Sequence, residues 1–256
     1  MSKRTQKTVA MTFLDGAHKS ILNGDTIRLI SPLTREEMSN QMSEIFEKQH
    51  YKHGRYKNSM VVIDIGANMG LSAIYFQDKS KMIYAIEPSA KHYTALVENT
   101  KQFPNIKCFN LAITDYEGEI ELFSNDDGII PESIYGSGKT KETVQCMRLS
   151  TFMQMNSIKK VDLLKIDCEG SEYRIFLAPD FKEIASKINR IVGEAHFFNI
   201  FVPDYIRPIL AELGFKCRFI KDSQNMWKEL TITSPIDASV RKFRVYFDTL
   251  FVAIRK

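Results

Sequence analysis

Short apolar runs alternate with segments of helical periodicity along the chain from residue 60 onward. This alternation predicts parallel strands joined by crossover helices, because each apolar run is long enough for one buried strand. Helices are expected over 89–101 and 204–213. The runs expected to form strands are 60–65, 82–86, 106–111, 161–166, 188–192, 215–220 and 245–254. The pattern therefore predicts an α/β fold with a doubly wound, Rossmann-like sheet.

The N-terminal part of the chain follows a different pattern. Residues 9–30 contain short apolar runs that are broken by Asp-Gly at 15–16 and Asn-Gly at 23–24. These dipeptides favour tight hairpin turns, because both residues tolerate a positive φ. We therefore expect residues 1–50 to form a small β-hairpin and helix extension, and residues 51–256 to form the principal domain.

The helix of this extension is predicted over 35–48. Thr34 and Glu37 have the spacing of a capping box, which marks the start of a helix. Met38 and Met42 recur on one helical face, and such a stripe indicates core packing.

The composition is that of an ordinary globular protein. Its 256 residues, 44% hydrophobic and 26% charged, are enough for one large α/β domain. The formal net charge of +4 comes from scattered basic residues, so no nucleic-acid partner is expected. The four cysteines have no C-x-x-C spacing, which fits a reducing cytoplasm. No apolar run reaches the roughly 18 residues of a membrane span. We expect a cytoplasmic protein, and the composition does not indicate its oligomeric state.

The strongest local motif lies where the first strand of this alternation ends. The run over 60–65 continues into Gly66, Asn68 and Gly70, and a helical segment follows. Glycines at such a turn allow the backbone to approach a ligand, while free N–H groups of the new helix face an anionic group. A tight strand-to-helix turn without a ligand would contain the same glycines. The motif predicts a nucleotide-like ligand.

An acidic residue follows the next predicted strand. Glu87 stands 17 residues after Gly70, where a carboxylate can accept both hydroxyl groups of a ribose. A solvated loop acid or a charge at a helix N-terminus would look the same. The pair of motifs favours adenosine binding, but it does not separate a nicotinamide cofactor from S-adenosylmethionine.

Acidic residues and a histidine follow two further strands. Asp167 and Glu169 are two residues apart, as are Glu194 and His196, and that spacing points side chains to one side of an extended chain. Neighbouring strands bring both pairs to the sheet edge where ligands bind. We expect these four residues to supply a proton acceptor, with His196 as the base, Glu194 stabilising its charged form and Asp167 as the second candidate.

Other interpretations of these residues stay open. A buried histidine that bonds to the backbone would account for His196, and a helix N-terminal charge would account for Glu169 and Glu172. A hard cation held by Asp167, Glu169 and Glu194 is a less favoured alternative, and we expect no metal.

The segment over 124–147 interrupts the alternation. It contains an Asp-Asp-Gly sequence, a proline and Gly-Ser-Gly, a composition that permits motion. We expect a loop that covers the acceptor side of the site.

Four of these segments together resemble the FkbM family of S-adenosylmethionine-dependent methyltransferases. The most specific is Asp167-Cys-Glu169-Gly170-Ser-Glu172, and the others are 64–70, 87–89 and 110–115. The resemblance extends over roughly residues 40–220, most of the chain. It implies a class I methyltransferase domain over 51–256, with seven strands of which the last is antiparallel.

The resemblance also implies how the cofactor is held. The methionine part would lie against Asp64, Gly66 and Gly70, with Asn68 in the same turn and Asp167 nearby. Glu87 would hold the ribose, and Ala112 would flank the adenine. The expected reaction is O-methylation of a small-molecule or glycan acceptor that carries a hydroxyl, such as a sugar or another secondary metabolite.

Two other functions compete with this one. In an NAD(P)-dependent oxidoreductase the fingerprint has three glycines, whereas Asn68 stands where the second glycine belongs. A non-catalytic nucleotide-binding module would keep the cofactor pocket and lack turnover.

Overall fold

The computed structural model describes residues 11–14, 17–22, 25–52, 54–124, 140–196, 206–220, 227–233, 240–246 and 248–255. Its strands are β1 (Met11–Leu14), β2 (Ala17–Leu22), β3 (Asp25–Ile30), β4 (Met60–Ile65), β5 (Ser80–Ile86), β6 (Ile106–Phe109), β7 (Ala112–Thr114), β8 (Gly118–Ser124), β9 (Thr140–Arg148), β10 (Leu163–Ile166), β11 (Arg190–His196), β12 (Phe215–Phe219), β13 (Trp227–Thr233), β14 (Val240–Tyr246) and β15 (Asp248–Arg255). Its α-helices are α1 (Arg35–Met42), α2 (Leu71–Phe76), α3 (Ala90–Thr100), α4 (Leu149–Met155), α5 (Glu172–Leu177), α6 (Pro179–Ala185) and α7 (Ile206–Glu212). No helix within these ranges is long and apolar enough to cross a membrane.

Seven strands form the central sheet in the order β12-β15-β11-β10-β4-β5-β6. Strands β4, β5, β6, β10 and β11 run parallel, whereas β15 lies antiparallel between β11 and β12. After β4 the chain builds the sheet first towards β6 and then, from β10, in the other direction. A crevice for ligands opens at the carboxyl ends of strands where the direction changes in this way. The predicted α/β sheet, with its last strand antiparallel, is confirmed.

Helices cover both faces of the sheet. Ile63 and Ile65 of β4 belong to one core, which includes residues of α4, α5, α6 and α7. Met60 and Val62 of the same strand belong to a second core with residues of α1, α2 and α3. A strand that is buried on both faces needs apolar side chains at successive positions. For this reason β4 could be predicted from a continuous apolar run in the sequence.

The helix of the N-terminal extension begins where the sequence predicts it. The side chain of Thr34 accepts a hydrogen bond from the amide of Glu37, and the Glu37 carboxylate accepts one from the amide of Thr34, so the capping box is confirmed. The predicted helix is present as α1 followed by a π-helical turn, Ser43–Glu47. Met38 and Met42 are buried in the same core as β4. The boundary at residue 50 stays a prediction, but the helix before it is part of the main packing unit.

Part of the expected loop over 124–147 is a strand, so this prediction was wrong from residue 140 onward. Strand β9 lies between β7 and β8 in a three-stranded sheet. Alternate residues form the buried side of this small sheet, namely Ile120, Leu122, Val144 and Cys146. Their alternation is a strand signal that the glycine-rich centre of the segment obscured. Residues 125–139 of the expected lid lie outside the described residues.

Asn99 in α3 connects the extension to the glycine turn. Its side chain is buried, and its Oδ1 accepts a hydrogen bond of 2.7 Å from the amide of Ile30. Its Nδ2 donates to the carbonyl oxygens of Ile30 and Met69, both at 2.9 Å. One buried amide therefore satisfies three backbone groups from two distant segments and fixes both against α3.

We expect Asn99→Ala to lower the free energy of unfolding by about 3 kcal/mol, because three backbone groups lose their partner. Urea unfolding followed by circular dichroism measures this loss. Asn156→Ala is the control, since the side chain of Asn156 donates to one backbone carbonyl, that of Phe152, and its loss should cost less than about 1 kcal/mol. Equal losses in the two variants would contradict the connecting role of Asn99.

Candidate active site

A cavity of about 830 Å³ lies at the carboxyl edge of the sheet. Part of its wall follows β4, β5 and β10, and another part comes from the N-terminal segment between residues 32 and 51. The predicted site residues in this wall are Gly66, Asn68, Glu87, Ala112, Asp167, Glu169 and Glu194. The fold therefore brings together residues that are up to 128 positions apart, from Gly66 to Glu194.

Three other predicted residues stand behind this wall. Asp64 is fully buried. Gly70 caps α2 with a φ of +94°, and a Cβ there would come within 2.8 Å of the Leu96 side chain, so this glycine permits close packing against α3. His196 is 8% exposed and lies beside the acids that line the cavity. A ligand in the cavity can therefore contact Gly66 and Asp167 directly, whereas Asp64 and Gly70 lie behind the wall.

The backbone amides of the glycine turn are engaged within the protein. The five amides of residues 66–70 donate to the Ile86 carbonyl, the Glu87 carboxylate, Asn68 Oδ1 and the Ala67 carbonyl, at 2.8–3.0 Å. These five amides are therefore not available to an anion, because the turn folds back on the end of β5. The expectation concerned the N–H groups at the start of α2, and it stays a prediction.

Gly66 allows the ends of β4 and β10 to touch. Its φ is +72°, and a Cβ at this position would lie 1.8 Å from the carbonyl oxygen of Asp167. Any side chain would push the two strand ends apart. The glycine is therefore required by contact within the protein, whatever ligand the cavity holds.

Glu87 is held in one orientation at the cavity wall. Its Oε2 accepts a hydrogen bond of 2.8 Å from the amide of Asn68, and its Oε1 accepts one of 3.0 Å from the amide of Ser89. A carboxylate oxygen can accept two hydrogen bonds. Each oxygen of Glu87 is thus oriented by the backbone at the wall of the cavity.

A buried cation joins β4 to β10. Lys165 Nζ donates to the Gly66 carbonyl at 2.6 Å and lies 3.3 Å from Asp64 Oδ1 and 3.5 Å from Asp167 Oδ2. Burial alone lowers the pKa of Lys165, but Asp64 and Asp167 outweigh it and raise the pKa above the ordinary value. The second oxygen of Asp64 accepts a hydrogen bond of 2.6 Å from the hydroxyl of Ser72. The charged lysine therefore holds the turn and both aspartates together.

His196 lies among three carboxylates. Its Nδ1 is 2.9 Å from Glu172 Oε1, while its Nε2 is 3.7 Å from Asp167 Oδ1 and 3.6 Å from Glu169 Oε2. Burial lowers the pKa of His196, but Glu169, Glu172 and Asp167 together raise it well above its ordinary value. The sequence predicted a histidine whose charged form is stabilised by a carboxylate. It named Glu194 for this role and did not connect Glu172 with the ring.

The same cluster has the spacing of a metal site. Asp167, Glu169 and His196 each offer one ligand atom, and these atoms lie within 4.8 Å of one another. The alternative considered from the sequence had Glu194 in place of His196. When His196 is protonated, the ring itself supplies positive charge between the two carboxylates.

The family model of the methyltransferase FkbM domain matches residues 64–217. This span contains the glycine turn, Glu87, the acids after β10 and His196. The chain belongs to the FkbM methyltransferase family. A curated relative, Methyltransferase sdnD of Sordaria araneosa, is 25% identical over 212 residues, which cover 67% of this chain and 80% of the relative.

Solved methyltransferase structures resemble the chain at low sequence identity. Precorrin-6y C5,15-methyltransferase from Geobacter metallireducens is 12% identical with a TM-score of 0.44, over 89% of this chain and 94% of the other. TrmK of M. capricolum, in complex with S-adenosylhomocysteine, is 14% identical with a TM-score of 0.44, over 88% of this chain and 69% of the other.

The cofactor of this FkbM methyltransferase is S-adenosylmethionine, and the cavity suits it. Apolar side chains of Leu111, Ala112 and Ile113 line the cavity together with Glu87, a combination that suits a base and a ribose. Because the family match identifies a methyltransferase, the alternative of a nicotinamide-dependent oxidoreductase is wrong.

Sequence reasoning missed Tyr51, gave Lys165 no role, and weighed Glu172 as a helix N-terminal charge or a catalytic group without naming its partners. Tyr51 precedes the family match and donates to Asp167 Oδ2 at 2.9 Å. Lys165 lies within an apolar strand, and a lysine at a position that should be buried is itself a signal of a buried ion pair. Glu172 is fully buried and accepts hydrogen bonds from the amides of Cys168 and Gly170.

We expect Glu172→Gln to lower the pKa of His196 by about one unit or more, because a neutral amide does not stabilise the imidazolium. Titration of the imidazole resonances by NMR measures the shift. Glu183→Gln on the exposed side of α6 is the control and should leave the pKa of His196 in place. An unchanged His196 titration in Glu172→Gln would show that Glu172 does not hold the charge.

Proposed function

We propose that the enzyme transfers a methyl group to a hydroxyl oxygen of a small-molecule or glycan acceptor, such as a sugar or another secondary metabolite. The observation that carries this proposal is the cluster of Asp167, Glu169 and His196 at the edge of the cofactor cavity. An alcohol must lose its proton as it is methylated, and a positioned base accelerates such a step. The cluster supplies groups that can take the proton.

The acceptor side is assigned to the part of the wall formed by the N-terminal segment. Thr34, Glu37, Gln41 and Glu44 line the cavity, and such side chains form hydrogen bonds with hydroxyl groups. This supports an acceptor that carries several hydroxyls. The four cysteines are free thiols, which supports the proposed cytoplasmic location.

The cofactor supplies a methyl group on a positively charged sulfur. In our proposal Glu87 accepts hydrogen bonds from the ribose hydroxyls, and Ala112 flanks the adenine. Gly66 and Asn68 form the adjoining wall, and Asp167 lies towards the methionine part. Asp64 and Gly70 act indirectly, through Lys165 and through the packing of the turn.

The proton path that we propose runs from the acceptor hydroxyl to His196. Asp167 and Glu169 line the cavity, and Nε2 of His196 lies within 3.7 Å of an oxygen of each. Only the neutral ring can take the proton, so the raised pKa of His196 sets the pH above which the base is ready. The two carboxylates then stabilise the imidazolium that forms.

We expect Glu87→Ala to weaken the binding of S-adenosylhomocysteine at least tenfold, because hydrogen bonds to a charged group contribute about 1.5–3 kcal/mol each. Isothermal titration calorimetry measures the affinity, and a thermal melt verifies folding. Glu119→Ala is the control, because Glu119 is an exposed acid whose loss should not alter binding. Unchanged affinity in folded Glu87→Ala would remove the ribose assignment.

We expect His196→Ala to keep cofactor affinity within about threefold and to lower turnover at least about a hundredfold. In the parent, kcat/KM should rise with pH through an apparent pKa above about 6.5, because the neutral ring is the proton acceptor. The variant should not show this rise. His92→Ala is the matched control, since His92 also lines the cavity. The acceptor for this assay comes from metabolite extracts screened with methyl-labelled cofactor.

A different result would reassign the base. If His196→Ala kept full turnover while Asp167→Asn or Glu169→Gln abolished it without loss of cofactor binding, one of the carboxylates would be the base. If methylation of nitrogen instead of oxygen appeared in the labelled products, the hydroxyl proposal would fail while the family assignment stood.

A further inference from the structure

Tyr51 reaches the active site from outside the region that the family model matches. The match begins at residue 64, whereas Tyr51 follows the π-helical turn of the N-terminal extension. Its side chain is 4% exposed. The ring packs against Phe76 with centroids 6.5 Å apart, and Lys165 Nζ lies 5.6 Å from the ring centroid. The residue is thus fixed at both its ring and its hydroxyl.

The hydroxyl of Tyr51 contacts one oxygen of Asp167. It donates to Oδ2 at 2.9 Å, and the same oxygen lies 3.5 Å from Lys165 Nζ. The other oxygen, Oδ1, lies 3.7 Å from Nε2 of His196. The two oxygens therefore have different partners, and the carboxylate has one defined orientation in which Oδ1 points towards His196.

The tyrosine is suited to remain a donor. Burial and the nearby charges of Asp167, Glu194 and Asp64 raise the pKa of Tyr51 well above its ordinary value, so the hydroxyl keeps its proton. A hydrogen bond to the ionised form of a carboxyl group favours that form. Burial raises the pKa of Asp167. The charges of Lys165 and His196 and the hydrogen bond from Tyr51 outweigh burial and lower this pKa below its ordinary value.

We propose that Tyr51 is a positioning residue that holds Asp167 with Oδ1 turned towards His196, so that the N-terminal extension completes the proton-accepting cluster. This inference rests on the proposed function for its catalytic meaning. The contact itself does not depend on that function.

Other charged groups act on the same carboxylate and define what the test must separate. Lys165 on β10 and His196 on β11 face it directly. Further groups surround these two, namely Asp64, Glu169, Glu172 and Glu194. A variant that removes the Tyr51 hydroxyl alone changes none of these groups.

The test compares Tyr51→Phe with Tyr56→Phe. Each variant keeps its aromatic ring and loses one hydroxyl, and the Tyr56 hydroxyl donates to the backbone carbonyl of Tyr51 rather than to Asp167. The pKa of Asp167 is followed by carbon-13 NMR of protein labelled at the aspartate carboxyl groups, and Asp167→Asn identifies the resonance. In Tyr51→Phe we expect Asp167 to take up its proton about one pH unit higher than in the parent. In Tyr56→Phe its titration should match the parent.

Two results would overturn the inference. One is a carboxyl titration of Asp167 that is the same in Tyr51→Phe and the parent. The other is an equal shift in Tyr56→Phe, which would indicate general loosening of the segment.

Cofactor binding separates this inference from the proposed function. If the parent fails to bind S-adenosylmethionine in calorimetry, the proposed function fails, whereas a shifted Asp167 titration in Tyr51→Phe would still support the positioning role. If the parent binds the cofactor and the Asp167 titration is unmoved, the function stands and the positioning role fails.

Discussion

The rest of the site depends on the ion pairs that the buried ammonium group of Lys165 makes with Asp64 and Asp167. Lys165 pairs in register with Asp64 across β10 and β4, and its Nζ also reaches the Gly66 carbonyl and Asp167. A buried charge without a partner is strongly unfavourable, so Asp64 and Asp167 require this cation as much as it requires them. Because the three charges come from two strand ends, the ion network is satisfied only when β4 and β10 are in their observed register. The glycine turn and the loop after β10 are fixed as a consequence.

The strands of the central sheet and seven residues of the cavity wall could be predicted from the sequence, because their signals are local. A continuous apolar run marked β4, and the acids that follow β5 and β10 marked the carboxyl edge of the sheet. The interior partners were less accessible to this reasoning. The contact of Tyr51 with Asp167 joins residues 116 positions apart, and that of Glu172 with His196 joins residues 24 apart. Neither pair has a periodicity that specifies it.

The saturated amides of the glycine turn show a second limit of pattern reasoning. The order of glycines at 66 and 70 fits a turn that binds an anion, and it also fits one that bonds to its own neighbours. The choice depends on where Glu87 and the Ile86 carbonyl stand after β5 folds beside β4, because they accept three of the five turn amides. Glu87 thereby orients the turn and faces the cavity at the same time. Its position in the sequence predicts that it faces the cavity, but not that it orients the turn.

The charges around the strand ends favour a positively charged reactive centre. Asp64, Asp167, Glu169, Glu172 and Glu194 bring five carboxylates to the ends of β4, β10 and β11, while Lys165 and a protonated His196 supply two cations. Nearby like charges raise the free energy of such a cluster, and a cationic ligand relieves it. S-adenosylmethionine carries its positive charge on the sulfur that donates the methyl group, and loses that charge when the methyl group leaves. In the proposed mechanism His196 accepts the proton in its neutral form. The cluster then has one cation fewer, and its attraction for the charged form of the cofactor is stronger.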